Sequence, residues 1–157
     1  MPPGTAATTD EEIKGVTMSQ SNTRVGDIRM KAGGDLTGKN GYLAKMMDVW
    51  GPAVDLVKFA GERPLYVIIE GVAPPQLVSV RPLEPGRNVR LVLVGTCNPG
   101  QTLVAMVDAG ANNGKVQALP EAAGTYIGVA IAEEAGIDGQ LVLARPAMIG
   151  NIVVAGA

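Results

Sequence analysis

From Glu62 onward the chain alternates short apolar runs with turn-forming residues, and each run is rich in β-branched side chains. LYVII at 65–69, QLVSV at 76–80 and VRLVLV at 89–94 open this pattern, the last with Val89, Leu91 and Leu93 on one face. Further runs follow at Leu103–Val107, Val116–Leu119, Tyr126–Ala132, Leu141–Ala144 and Ile152–Val154. Such runs read as strands, because branched and aromatic side chains pack well on a pleated surface. Between them stand Pro85-Gly86, Asn98-Pro99-Gly100, Asn113-Gly114 and Asp138-Gly139, which supply preset or positive φ. Asn113-Gly114 is the clearest hairpin signal, and a two-residue type I′ turn is expected there.

The first sixty residues read differently. Residues 1–24 are polar, with Ile13, Val16 and Met18 as their main large apolar side chains, and are expected to form an extended, flexible arm. Residues 25–60 read as a connecting segment. Within it Arg24–Met30 can form a short strand, AVDLVKF at 53–59 another, and YLAKMMDVW at 42–50 has the spacing of one short helix ended by Gly51-Pro52. The expected architecture is therefore all-β: a small barrel or sandwich of short antiparallel strands over 61–157, with the arm and the connector before it.

Length and composition narrow the function. At 157 residues one core suffices. Gly (21) and Pro (11) together make 32 residues, in keeping with many tight turns, while aromatic residues are only 3%. Histidine is absent and Cys97 is the sole cysteine, which excludes His-dependent triads, zinc sites and an internal disulfide. Cys97 reads as a small buried apolar residue. The net charge of −2 arises from 13 basic and 15 acidic residues mixed along the chain, so no nucleic-acid partner is expected. The opening segment has neither the basic nor the apolar region of a secretory signal, and no apolar run is long enough to span a bilayer. A soluble protein made in a cytoplasm, with no membrane partner, is the expectation.

Several motifs offer chemistry and fall short of it. Gly33-Gly34-Asp35-Leu36-Thr37-Gly38-Lys39-Asn40 follows the phosphate-loop spacing, but Asn40 stands where Ser or Thr must hold Mg²⁺. TLVAMVDAG at 102–110 has the look of a cofactor-carrier hairpin without its lysine. Glu133, Glu134 and Asp138 form the densest acidic group in the β region, without the order of a calcium loop. Arg63, Arg81, Arg87, Arg90 and Arg145 are candidates for a positive patch. There is no nucleophile elbow and no S-x-x-K, so neither an enzyme nor a cofactor is expected.

Four segments carry a resemblance: PLYVIIEGVA (64–73), VRLVLVGTCNPGQTLVAMVD (89–108), GKVQAL (114–119) and TYIGVAIAEEAGIDGQLVLARP (125–146). With the Gly100–Leu103 step, the Gly114-Lys115-Val116 turn exit and the Ile127–Ala130 strand, their order resembles that of the decoration, or cement, proteins of tailed-phage heads. The resemblance implies a structural protein on the outer capsid surface of a virion, bound to the major capsid protein and to itself as a homotrimer, that stiffens the shell. Tyr42 and Trp50 are the candidate aromatic anchors of such an interface. The apolar end Met148, Ile149, Ile152 and Val153 is the candidate subunit contact. The alternative is a receptor- or carbohydrate-binding β module, although the aromatic supply for sugar stacking is poor.

Overall fold

In this computed structural model, residues 26–47 and 52–156 are described. They form ten strands: β1 (Ile28–Ala32), β2 (Leu43–Met46), β3 (Ala53–Leu56), β4 (Tyr66–Glu70), β5 (Leu77–Pro82), β6 (Val89–Val92), β7 (Thr102–Ala105), β8 (Val116–Ala118), β9 (Gly124–Ala132) and β10 (Leu141–Val154). A single 3₁₀ turn covers Gly110–Asn112. Strands β1 to β5 close into a barrel in the order β1-β3-β2-β4-β5, with β5 returning to pair with β1. Strands β6 to β10 form a second sheet in the order β6-β10-β9-β7-β8. The all-β expectation therefore holds.

Two corrections concern the first third of the chain. YLAKMMDVW does not begin a helix: Leu43–Met46 is β2, paired antiparallel with both β3 and β4. Leu, Ala, Lys and Met favour helix locally, but hydrogen bonds on both edges and burial on both faces outweigh a preference worth tenths of a kcal/mol per residue. The segment 25–60 is likewise more than a connector, since it supplies three of the five barrel strands. One of its pairings, β1 with β3, is parallel rather than antiparallel.

The period of two along β2 and β4 explains how barrel and sheet become one body. Ala44 and Ile68 point into the barrel with Val54, Val78 and Val80. Their neighbours Leu43 and Val67 point the other way, into a second core shared with Val89, Leu91, Leu93, Leu103 and Val142. A strand buried on both faces needs an unbroken apolar run, and LYVII is such a run. Strand β6 faces the core with Val89 and Leu91 and presents Arg90 to water, as its alternation predicted.

The glycine-rich loop at 33–41 is a plug for the barrel. Leu36 is 1% exposed, its N–H donates to the Val72 carbonyl at 3.0 Å, and the Asn40 Oδ1 accepts from the Gly71 N–H at 2.8 Å. Gly71 is required by close approach, because a Cβ there would lie 1.9 Å from the Leu36 carbonyl oxygen. Several amides of the loop donate within the protein: those of Gly33, Lys39 and Gly41 to backbone carbonyls and that of Thr37 to the Asp35 carboxylate. Strands β7 and β8 do pair as a hairpin, but not through a two-residue turn at Asn113-Gly114: Ala105 faces Val116, so the connection takes residues 106–115, and Asn113-Gly114 is the turn that closes that longer loop. Asn113 has φ −54° and ψ 133°, Gly114 has φ +83°, and the Lys115 N–H donates to the Asn112 carbonyl at 3.1 Å. That is a type II turn, in which only the glycine needs positive φ.

Candidate interaction surface

Half of the charged side chains among the described residues are paired with one another. Arg81 donates to Asp27 at 2.7 Å, with Arg87 3.9 Å from the same carboxylate. Arg90 pairs with Glu134 at 2.9 Å and Arg145 with Glu133 at 3.0 Å. Asp138 accepts from the Gly95 N–H at 2.8 Å. The hydrogen bond from Arg81 holds the Asp27 carboxyl below the usual aspartate range, and the Leu143 N–H followed by Arg90 does the same for Glu134. The acidic trio and four of the five arginines therefore act as strand and turn ties, and the positive patch is neutralised pair by pair. Burial pushes the Cys97 thiol above its ordinary value, as expected of a side chain 4% exposed.

Apolar surface is also open to a partner. A groove of about 390 Å³ runs along the seam where the barrel meets the second sheet, walled by Pro64, Leu65 and Leu83 on one side and by Ile127, Val129 and Pro146 on the other. Beside it the Lys58–Glu62 loop holds Phe59, 59% exposed, at its tip. The loop is rigidified from within: the Glu62 carboxylate accepts from the Lys58 and Phe59 N–H groups at 2.8 and 2.7 Å, and its other oxygen pairs with Lys45. A preorganised exposed aromatic loses little entropy on docking.

Past the groove, β9 and β10 continue as a two-stranded ribbon. Between Pro146 and Gly150 the register shifts, and beyond that Gly150–Val154 pairs with Gly124–Gly128. The candidates fall unevenly on this surface. Val153 is 76% exposed and Ile152 half-buried, both on the ribbon. Tyr42 is half-buried against the barrel core, far from a free anchor, with the Lys39 ammonium 4.9 Å and the Lys115 ammonium 5.7 Å from its ring centre. Trp50 and residues 1–24 lie outside the described residues, as do the side chains of Met148 and Ile149. Sequence reasoning missed Phe59, Leu65, Leu83 and Ile127. The only signal for Phe59 was its being the sole phenylalanine, set between a strand and a turn, while the groove residues meet only through tertiary packing.

These features define an all-β protein in which a closed five-stranded barrel and a five-stranded sheet share a core, with ion pairs tying its strands at the surface and an apolar seam and ribbon exposed beside them. A solved structure with this fold is the N base of the head fibre gp8.5 of bacteriophage phi29: it is 14% identical, with a TM-score of 0.56 over 79% of this chain and 95% of that one. At that identity the likeness is one of fold. No family model and no curated protein matches the chain.

Proposed function

We propose that this protein is a structural component of a tailed-phage head, bound on the outside of the assembled capsid, where it bridges neighbouring coat subunits as a homotrimer. The observation that carries the reading is the shared fold with a head-fibre base, which extends over nearly the whole of that domain. The surface is in keeping with it: four of the five arginines of the β region's expected positive patch are paired with carboxylates, and the exposed apolar groove and ribbon suit protein contact. Each copy needs only a modest interface, since hundreds of copies on one shell sum to a large mechanical effect. In this role the protein binds no nucleic acid, membrane or cofactor, and residues 1–24 add contact area on the shell.

The test is co-sedimentation of the purified full chain with empty phage capsids, together with its stoichiometry to the major coat protein in purified virions. A fixed ratio and saturable binding are expected, and deletion of residues 1–24 weakens attachment while leaving the fold intact. Absence from virions, or selective capture of a sugar on a glycan array without capsid binding, overturns the reading.

A further inference from the structure

The ribbon at the far end of β9 and β10 is unusual within its own sheet. Strand β6 pairs with β10 only over Leu141–Ala144, and β7 reaches β9 only between Gly128 and Ile131. Beyond those limits Gly124–Ile127 and Gly150–Val154 pair with each other, and among the described residues no further backbone hydrogen bond reaches either stretch. The ribbon thus carries two open edges, one on each strand. Two strands alone are marginal in water.

Its composition sharpens the point. Residues 122–132 and 146–157 contain no Asp, Glu, Lys or Arg, although such residues make 18% of the chain. Soluble proteins guard open strand edges with charges, above all lysine, or with proline. Here the ribbon edges present Thr125, Tyr126, Ile127, Ile152, Val153 and Val154 unguarded, with Val153 at 76% exposure. An edge left without such protection is one that is covered in the working state.

We infer that the occupant is a second copy of this chain, added head to tail: the β10 edge at Gly150–Val154 of one copy pairs with the β9 edge at Gly124–Ile127 of the next. The reason is topological. Each copy carries one edge of each kind and of nearly equal length, so heterologous pairing that closes into a ring leaves no edge free, and an unrelated partner on one edge leaves the other exposed. The groove walled by Ile127 and Val129 lies at the root of the same ribbon, where a neighbouring copy continues the contact. This deepens the homotrimer of the proposed function by assigning its contact surface, but it concerns the isolated protein and needs no capsid.

Sedimentation of the purified full chain, 16.1 kDa per copy, tests it. The expected result is concentration-dependent association that Val153→Lys weakens at least about tenfold, or about 1.4 kcal/mol, with the melting transition of the single chain unchanged because the side chain is exposed. Direction is read by mixing Val153→Cys and Thr125→Cys proteins under mild oxidation, with buried Cys97 as a silent background: the mixed disulfide is the expected product. A monomer at about 100 µM, association indifferent to Val153→Lys, or absence of the mixed disulfide overturns the inference. Capsid binding is scored separately, so a ring-forming protein that ignores capsids sinks the capsid role alone, and a monomer that binds capsids sinks this inference and the homotrimer while leaving the capsid role standing.

Discussion

The Leu43 N–H donates to the Gly114 carbonyl at 2.7 Å, which ties the second strand of the barrel to the hairpin turn of the opposite sheet. Two further backbone bonds run beside it, from Val92 to the Gly41 carbonyl at 3.1 Å and from Asp108 to the Lys58 carbonyl at 2.7 Å. Barrel and sheet are therefore stitched by main chain as well as by a common core, and their unfolding is expected to be a single event.

Gly114→Val tests that stitch. Gly114 sits at φ +83°, and a Cβ there meets the Leu43 carbonyl oxygen at 3.1 Å and side-chain carbons of Leu56 and Tyr42 at 3.4 Å. A β-branched residue forced into the left-handed region, with this crowding, costs about 2 kcal/mol or more. Urea denaturation reads the loss as a lower midpoint at unchanged slope, and an unaltered midpoint refutes the type II turn.

Leu43→Ala acts on the same junction from the side-chain side. Leu43 is fully buried in the core that both halves share, so truncation costs about 2–5 kcal/mol in transfer and cavity terms. Near-ultraviolet circular dichroism and tyrosine fluorescence are expected to melt together, with both midpoints lowered equally. Two separated transitions count against a common core.

Acid weakens the protein through Asp27 and Glu134. Both carboxyls sit below their ordinary values of 3.8 and 4.5 in the folded state, so the unfolded chain takes up more protons as the pH drops. Their contribution is complete above about pH 5 and is lost as the pH falls below about 4.5 through the folded values. Asp27→Asn flattens part of that profile. Because the Asp27 pairs are well exposed, the loss at pH 7 stays within about 1 kcal/mol and shrinks in high salt. A melting temperature independent of pH between 3 and 5 contradicts the assignment.

Cys97 offers a readout of opening. Its thiol is buried against Gly136 and raised in pKa by that burial, so the thiolate fraction and its access are both low. Modification by a chromogenic disulfide reagent is expected to be negligible at pH 7.5 and stoichiometric in urea. Rapid labelling of the native protein refutes the burial.

Much of the fold was legible. Val89, Leu91 and Leu93 were read on one face and all are buried, LYVII was read as a strand and is β4, and a hairpin was read around Asn113-Gly114, where β7 and β8 do pair, though through the longer connection 106–115. The candidate surface was less so: Val153 could be named because an apolar terminal run is a local feature, whereas Tyr42 turned out to pack on the barrel core and Phe59 was passed over. Local sequence also misassigned Leu43–Met46, whose residues prefer helix until two neighbouring strands claim both of their edges.

The division has a physical cause. Alternation, branching at Cβ and the φ demands of glycine act over a few residues, and they determined by themselves that this chain is β and turn-rich. Which strands meet, that β5 returns to β1, that Leu43 and Ala44 serve two different cores, and that Leu65 and Ile127 wall one groove depend on contacts between residues far apart in the chain. Only the tertiary structure decided those, because the free energy that selects them comes from burial shared among distant segments and is written in no single one of them.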